Sequence, residues 1–362
     1  MKKNILLVTL RADWGGGPQH VDLLVNNLSE EFNIYIACPN DKPYYDKWKQ
    51  SAKVKNIFVL PHRKFSFKKL IELSNFIKKN NIRIIHSHGK GAGIYSRLLK
   101  IFNFNVKVVH TLHGFHIREY NKIKKIIYIF IERLLALFTD KFINVSKGEQ
   151  EICLKYKLYP VNKSTVIYNG IKQLKKIVDA KKILKLKNKF VITTISRFDY
   201  QKNMSFAYEI AKRFRDNKEI IFLWIGDGND KKILEKQAKI EDVNIIFTGF
   251  TKDIPLYLSA TDIYLSTSRW EGLPYALIEA QSLGIPIIAT DVVGNNEVVI
   301  DKYNGYLFKN ITEAILYINL LLENKKIYKE FSNNALKNFK NKFEITTMVI
   351  KIEQIYKDVC DG

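Results

Sequence analysis

The feature that most constrains the fold is a regular alternation of two patterns along the 362-residue chain. Short runs rich in valine and isoleucine alternate with stretches whose apolar residues recur at helical spacing. This alternation is typical of parallel sheets covered by helices. Because the chain is longer than one hydrophobic core usually organises, and 46% of it is apolar, we predict two α/β domains.

The alternation stops once and then starts again. A lysine-rich stretch without clear periodicity, 172–189, follows Gly170 and is interpreted as a linker into a second domain. We therefore predict domains at 1–170 and 171–342, and a final helix at 343–362 that packs back toward the first domain. Open α/β sheets bind ligands beyond the carboxyl ends of their strands, so two doubly wound domains predict a site in a cleft between them.

The individual elements follow from the same pattern. Predicted helices of the first domain are 18–28, 67–79, 92–101, 120–138 and 147–155. Predicted strands are 4–9, 33–38, 56–60, 83–86, 107–111, 141–145 and 165–168 in the first domain, and 190–196, 220–225, 244–247, 263–265 and 286–289 in the second.

The net charge of +23 is unevenly distributed. Residues 1–170 hold 29 Lys/Arg against 12 Asp/Glu, whereas the remaining residues hold 30 against 24. A strongly basic half attracts anions such as nucleic acid, acidic lipid head groups or a phosphate-bearing acceptor. A lysine-rich proteome would explain the basicity but not the difference between the halves.

The segment 270–280, WEGLPYALIEA, is the sharpest candidate site. Pro274 is predicted as an early helical residue, so that the amides after it and the helix dipole present a phosphate site. Glu271 and Glu279 then lie up to about 12 Å apart along the axis. That separation is too wide for the carboxylate pair of a retaining glycosidase but suits two groups that bind opposite ends of one ligand.

Two further loops follow predicted strands. In SRFDYQKN, Arg197 and Lys202 are cations in a strand-to-helix loop and suit a diphosphate leaving group. The glycine turn 15–17 follows the first strand and allows amides to approach an anion. The chain contains neither GxGxxG nor a P-loop, so an NAD-dependent enzyme and a Walker-type nucleotide site are poorly supported.

Five of the seven histidines fall within 31 residues, at the ends of two predicted strands. A zinc site is conceivable, but no carboxylate or cysteine pattern accompanies them, and we predict no metal. A neutral histidine that contacts the sugar or the acceptor proton is the preferred interpretation. These histidines are His86, His88, His110, His113 and His116.

Taken together, these segments resemble glycosyltransferase family 4, nearly from end to end. The resemblance is carried by HSHGKGAG, TLHGFH, NVSKGEQE, VIYNGI, SRFDYQKN, WIGDGND, FTGF, EGLPYALIEA, GIPIIATDVVGNNEVV and NGYLF. It implies the GT-B fold, with two Rossmann-like domains facing a central cleft. The TLHGFH and DVVGNNEVV versions resemble bacterial enzymes of capsule, exopolysaccharide or O-antigen synthesis.

The resemblance also implies roles for individual residues. Arg197 and Lys202 would neutralise the donor diphosphate, Glu271 would bind hydroxyls of the donated sugar, and Glu279 would bind the ribose. His113 matches the active-site histidine of the first domain. Further donor contacts would come from the amides of Gly16 and Gly17, from Phe250 and Thr251 at the base, and from the backbone of Gly272, Leu273, Pro274, Tyr275 and Ala276.

The implied reaction is transfer of a hexose or N-acetylhexosamine from a nucleotide-sugar, expected to be a UDP-sugar. Anomeric configuration would be retained by front-face attack, without metal, cofactor or protein nucleophile. The expected acceptor is a glycan or polyprenyl-diphosphate-linked sugar of a bacterial surface polysaccharide. Ser196 and Asn295 stand where many members carry glycine, so the choice of sugar and acceptor does not carry over from those members.

Localisation and partners follow from the remaining features. Three widely spaced cysteines and the absence of a signal peptide or apolar span predict a cytoplasmic enzyme. The predicted helix 120–138, preceded by Lys122, Lys124 and Lys125, is either an ordinary core helix or a peripheral contact with an anionic inner leaflet. A nucleotide-sugar epimerase or hydrolase, and a nucleic-acid-binding protein without enzyme activity, remain as alternative functions; no nucleic-acid partner is expected.

Overall fold

The computed structural model of the chain describes residues 2–115, 117 and 120–361. These residues form two compact units. Unit 1 comprises Met1–Gly170 with Ile345–Gly362, and unit 2 comprises Ile171–Glu344. In each unit a parallel sheet is covered by helices, as the alternation in the sequence predicts.

Unit 1 contains seven strands in the order β3-β2-β1-β4-β5-β6-β7. The strands are β1 (Lys3–Thr9), β2 (Phe32–Cys38), β3 (Val54–Val59), β4 (Ile84–His88), β5 (Lys107–Thr111), β6 (Lys141–Asn144) and β7 (Ser164–Val166). The helices are α1 (Gly16–Asn27), α2 (Tyr44–Lys49), α3 (Phe67–Lys79), α4 (Lys90–Phe102), α5 (Lys122–Ala136), α6 (Lys147–Lys155) and the C-terminal helix of the chain, Ile345–Asp361.

Unit 2 contains six strands in the order β10-β9-β8-β11-β12-β13. The strands are β8 (Phe190–Ile195), β9 (Ile220–Ile225), β10 (Ile245–Gly249), β11 (Ile263–Ser266), β12 (Ile287–Thr290) and β13 (Gly305–Phe308). The helices are α7 (Ala180–Ile183), α8 (Met204–Lys212), α9 (Lys231–Ile240), α10 (Ile254–Ser259), α11 (Tyr275–Ser282), α12 (Asn295–Val298), α13 (Ile311–Glu323) and α14 (Lys325–Lys342); the C-terminal helix in unit 1 is α15.

The central strands are buried on both faces because helices cover both sides of each sheet. Ile5, Leu6, Leu7 and Val8 of β1 are fully buried, which is the near-continuous apolar run expected of a parallel strand. Several helices begin at a residue whose side chain caps the first turn, and these caps locate the helix starts. They are Ser66, Asn121, Ser146, Asn310 and Asn324.

Each sheet has one point where the strand order reverses. In unit 1 it lies between β1 and β4, and in unit 2 between β8 and β11. Loops that leave two such neighbouring strands diverge, and the gap between them accepts a ligand. The glycine turn and the HSHG segment follow β1 and β4, whereas SRFDYQKN and the segment before EGLP follow β8 and β11.

The structure differs from the sequence prediction at several elements, among them the unpredicted helix α2. The stretch 172–189, interpreted as a linker, contains α7 and is bound to unit 2 through the Lys181–Asp262 ion pair at 2.5 Å. Strand β13 was not predicted, since GYLF is too short to show a period of two. The helix predicted at 120–138 begins at Lys122 and ends at Ala136.

Candidate active site

Unit 2 brings the predicted cations and carboxylates together at the carboxyl edge of its sheet. The Nζ atom of Lys202 lies 2.5 Å from Oε1 of Glu271, and both side chains are largely buried. Ser268 Oγ donates to the same Glu271 oxygen at 2.6 Å. The loops after β8 and β11 are therefore joined by a charge-assisted hydrogen bond, which is stronger than one between neutral groups.

Arg197 joins this group through a neighbour that the sequence did not indicate. Its guanidinium donates to Oε1 of Gln201 at 3.0 Å and pairs with Asp199 at 3.1 Å. Gln201 Nε2 donates in turn to the backbone oxygen of Trp270 at 3.1 Å. Gln201 is thus a bridge between the Arg197 loop and the Glu271 loop, and only the folded structure reveals that the two loops are adjacent.

Helix α11 begins at Tyr275, so the prediction that Pro274 is an early helical residue is wrong by one position. Pro274 has ψ of 120° and lies at the N-cap, because its extended backbone turns the chain out of the EGLP loop before the helix starts. Glu279 lies on the second turn of α11 and is partly buried. Leu273, Pro274 and Tyr275 are buried, whereas Gly272 and Ala276 are partly exposed.

Both glutamates border the buried side chain of Tyr264 on β11. Burial raises the pKa of the Tyr264 hydroxyl, and the negative charges of Glu279 and Glu271 raise it further. The Tyr264 hydroxyl donates to the backbone oxygen of Ile195 at 3.0 Å. Both carboxylates therefore lie near enough to Tyr264 to act on it electrostatically.

A small cavity lies among these residues. It measures about 10 Å³, which is room for about one water molecule. Its lining includes Ser196 at the end of β8, Ser266 at the end of β11, Lys202, Glu271 and Ala276. The ends of the two central strands therefore converge on the ion pair.

Gly294 shows how closely the DVVGNNEVV loop approaches this ion pair. A Cβ atom at Gly294 would lie 2.8 Å from the Cβ of Glu271 and from the backbone oxygen of Gly272, and its φ is +89°. Glycine is therefore required there. The next residue, Asn295, is buried, and its side-chain amide donates a hydrogen bond to the backbone oxygen of Thr290. Asn295, at a position predicted to carry glycine in many family members, therefore links the loop to the end of β12.

Phe250 and Thr251 lie farther along the same edge. They follow β10, which lies two strands from β8. The Phe250 side chain is half exposed, and Thr251 Oγ1 accepts a hydrogen bond from the amide of Asp253 at 3.1 Å. An exposed aromatic ring on this loop is able to stack on a planar base.

In unit 1 the glycine turn opens α1. Gly15 is its N-cap, and Gly16 and Gly17 begin the helix. A Cβ atom at Gly17 would meet nothing within 4 Å, so there is open space beside this position. The sequence analysis did not single out Arg11, which pairs with Asp13 at 2.7 Å and donates to the backbone oxygen of Trp14, bracing the turn.

The histidines divide differently from the prediction. His88 and His113 meet, with His88 Nδ1 3.1 Å from His113 Nε2, and His20 of α1 joins them with its ring centre 4.8 Å from that of His113. His86 lies beside His88, with ring centres 4.1 Å apart, but its own nitrogens contact Tyr356 and Thr111, whereas His110 contacts Ser87. His116 lies outside the described residues. His20 was missed because it is remote in sequence from the other two.

Burial disfavours the charged form of these three histidines. Burial lowers the pKa of His20 to about 4. Burial, together with the neighbouring histidines, also holds the pKa values of His88 and His113 well below their usual range. A neutral imidazole offers one donor and one acceptor, which suits contact with sugar hydroxyls.

The same group has the composition of a metal site. One nitrogen from each of His20, His88 and His113 lies within 4.8 Å of the other two. Neutral imidazoles are ligands for transition metals such as zinc. Among the described residues no aspartate, glutamate or cysteine belongs to this cluster.

A buried carboxylate that the sequence analysis did not single out holds the His113 loop. Glu149 accepts a hydrogen bond from the amide of Gly114 with one oxygen and from the amide of Val145 at 2.8 Å with the other. His113 itself has a positive φ of 59°, an uncommon backbone conformation for a residue other than glycine. The contact of Glu149 with the next residue supports this conformation.

The two-sheet architecture is that of known glycosyltransferase structures. The crystal structure of Anabaena HepE in complex with UDP and glucose has a TM-score of 0.86 and 18% identity, and the match covers 98% of this chain and 100% of that one. The fold is therefore the GT-B fold, as the sequence analysis predicts.

Sequence similarity extends over both units. The model of Glycosyltransferase Family 4 matches residues 14–173, and the model of Glycosyl transferases group 1 matches residues 175–338. The chain is 32% identical to the Escherichia coli UDP-Gal:alpha-D-GlcNAc-diphosphoundecaprenol alpha-1,3-galactosyltransferase, over 94% of this chain and 92% of that protein. It is 27% identical to the capsular polysaccharide biosynthesis glycosyltransferase CapH of Staphylococcus aureus, over 97% and 98%.

The chain belongs to glycosyltransferase family 4. The predicted resemblance and the predicted enzyme class, a hexosyltransferase, are both confirmed. Within the described part of the chain, none of the helices has the length and hydrophobicity of a bilayer span.

Proposed function

We propose that the chain is a retaining glycosyltransferase that transfers a hexose or N-acetylhexosamine from a UDP-sugar to a lipid-linked acceptor during synthesis of a bacterial surface polysaccharide. The observation that carries the proposal is the meeting of Lys202 and Glu271 at the strand ends of unit 2. The E. coli relative supports the choice of substrates, since its name specifies UDP-galactose and a diphosphoundecaprenol acceptor.

Unit 2 binds the donor in this proposal. Lys202 and Arg197 face the diphosphate, whose negative charge grows as the glycosidic bond breaks. Glu271 accepts hydrogen bonds from the sugar, and Glu279 accepts them from the ribose. Phe250 and Thr251 contact the base, and the backbone of residues 272–276 completes the donor site.

Unit 1 binds the acceptor and contributes His113. Neutral His113 donates to a sugar hydroxyl, and the amides of Gly16 and Gly17 approach the donor phosphates. The bond from the anomeric carbon to the diphosphate oxygen breaks on the face where the acceptor oxygen attacks, and the acceptor proton passes to the departing phosphate. No metal ion and no protein nucleophile takes part.

The proposal is tested first by donor binding. Thermal unfolding is measured with UDP-, GDP-, dTDP- and CDP-sugars, and UDP-sugars are expected to raise the unfolding temperature most. Transfer is then measured with a polyprenyl-diphosphate-linked N-acetylglucosamine as acceptor. The proposal fails if the donor is consumed equally fast without acceptor, since that result identifies an epimerase or hydrolase.

A further inference from the structure

Helix α5 presents an apolar stripe to solvent. Seven of its large side chains, including that of the C-cap Leu137, are between 42% and 72% exposed. At 3.6 residues per turn they fall within an arc of about 140° on one side of the helix. They are Ile123, Ile126, Ile127, Phe130, Ile131, Leu134 and Leu137.

The stripe is not the core-facing side of the helix. On the opposite side Leu135 and Ala136 are buried, and Glu132 forms a buried ion pair with Arg97 of α4 at 2.7 Å. The helix therefore has a packed side already, and its outward residues contribute nothing to the core of unit 1. An ordinary solvent-exposed face would carry polar residues at these positions.

The charged side chains of α5 that border the stripe all have one sign. Lys122 and Arg133 lie along one margin and Lys124 along the other, as the same helical spacing requires. The single acidic residue of α5, Glu132, points inward to Arg97. The outward side therefore combines an apolar stripe with cations at both margins, which is the pattern of a helix that lies in the surface of an anionic membrane.

An open cavity continues the stripe at the end of α5. It measures about 520 Å³, and Leu137, Leu154 and Leu158 contribute to its lining. Arg133 and Lys157 also line it, and both are exposed. An apolar floor beside two cations fits part of a lipid that carries an anionic head group.

We propose that this docking surface, formed by the α5 stripe and the adjoining cavity, rests on an anionic bilayer. The inference builds on the proposed function, because it explains how a lipid-linked acceptor is reached. A second copy of the chain fits less well, since a two-fold contact through this side would place like charges near one another. The helix is about 22 Å long and therefore lies along the bilayer surface rather than across it.

Vesicle co-sedimentation without any sugar donor tests the surface directly. The wild-type chain is expected to bind vesicles of phosphatidylglycerol and phosphatidylethanolamine, and to bind phosphatidylcholine vesicles much more weakly. Ile126→Glu with Phe130→Glu is expected to lower the vesicle partition coefficient at least about tenfold. Lys122→Gln with Lys124→Gln is expected to lower it severalfold at low salt and to leave less salt dependence.

Matched controls come from α9 of unit 2. Ile233 and Ile240 are 68% and 72% exposed, so Ile233→Glu with Ile240→Glu also replaces two exposed apolar side chains by glutamate, at similar exposure. Lys232→Gln with Lys236→Gln removes two exposed cations from the same helix. Both control pairs are expected to keep vesicle binding, and every variant is expected to keep its thermal response to UDP.

The outcomes separate the two proposals. Loss of vesicle binding only in the α5 variants, with the UDP response intact, supports the docking surface. Vesicle binding that survives the Ile126/Phe130 double substitution overturns it. The proposal is also overturned if the wild-type chain does not bind vesicles but forms a dimer, and if this double substitution dissociates the dimer. A missing UDP response with vesicle binding intact counts against the proposed function and not against the docking surface.

Discussion

Lys202 Nζ lies 2.5 Å from Glu271 Oε1, so the cation predicted to bind the diphosphate and the carboxylate predicted to bind the sugar are in direct contact. The contact fixes the positions of the two side chains at the edge of the sheet. A donor that entered would add its own negative charges beside Lys202 and its hydroxyls beside Glu271. The ion pair therefore holds both groups in position for the donor.

We expect Lys202→Ala, Arg197→Ala and Glu271→Ala each to lower the transfer rate at least about 10²-fold, because each removes a contact to charge that develops in the transition state. Circular dichroism and thermal unfolding check that the fold is kept. Lys212→Ala provides the control, since Lys212 forms an ion pair with Glu241 at 2.6 Å in the same unit. A charge-swapped variant, Lys202→Glu with Glu271→Lys, keeps an ion pair but reverses its two ends. Full activity in that variant would mean that the ion pair itself is needed and that neither residue has a separate role toward the donor.

Glu149 is expected to act through His113. Glu149→Gln replaces an acceptor of two amide hydrogen bonds by a group with only one acceptor oxygen, so the Gly114 or the Val145 amide loses its partner. We expect a fall in kcat of about tenfold with little change in KM for the donor. Glu151→Gln, at an exposed position of the same helix, is the control.

A double substitution distinguishes this role from a general loss of stability. If Glu149 positions His113, then Glu149→Gln added to His113→Ala should lower kcat no further, since the two residues act as one unit. A further drop equal to the effect of Glu149→Gln alone would show that the carboxylate acts independently of His113.

Much of this molecule is predictable from local patterns. The bounds of α3 and α6 match the predicted ranges, because each helix has a serine N-cap and regular apolar spacing. The GT-B fold and the enzyme class likewise follow from motifs that are contiguous in sequence. The features that the sequence did not predict depend on contacts between segments that are distant along the chain.

His20, Gln201 and Glu149 illustrate that limit. His20 meets His113 because α1 and the loop after β5 both begin at the carboxyl edge of the sheet. Gln201 bridges two loops that are adjacent only through the order of β8 and β11. Pro274 shows a smaller error, since a proline is compatible with both the N-cap and the first helical turn, and sequence does not distinguish positions that close.

The buried histidines predict how stability changes with pH. Burial lowers the pKa of His20 to about 4 in the folded chain, whereas the unfolded chain takes up that proton near pH 6.5. Unfolding therefore binds protons between these values, and stability is lost as the pH falls through this range. His88 and His113 act in the same direction.

Urea unfolding compared at about pH 7 and about pH 5 measures this effect. The free energy of unfolding is expected to be lower at the acidic pH, and the difference is expected to shrink in His20→Asn. An unchanged pH dependence in that variant would contradict a neutral, buried His20.

The proposed reaction requires no metal, although three histidine nitrogens lie within 4.8 Å of one another. We expect that treatment with EDTA followed by gel filtration leaves the transfer rate within about twofold, because Lys202 and Arg197 supply the positive charge that a metal would supply at the diphosphate. Added Mg²⁺ or Mn²⁺ should likewise have little effect. Loss of transfer on chelation and recovery with one divalent ion would reverse this interpretation and assign the histidines a metal.

The Arg97–Glu132 pair fixes α5 on α4, and its side chains are 0% and 5% exposed. Glu132→Gln is expected to destabilise unit 1 by about 3–5 kcal/mol, because it leaves the buried Arg97 cation without a counter-charge. Arg97→Met with Glu132→Leu is expected to recover most of that loss, since the apolar pair removes both buried charges. Hydrogen exchange of the α4 and α5 amides measures the change within this unit, and Glu72→Gln, which breaks a partly exposed ion pair with Lys69, should leave those amides unaffected. If Glu132→Gln exchanged as slowly as the wild type, Arg97 would have to find another partner, and α5 would not depend on this ion pair for its position.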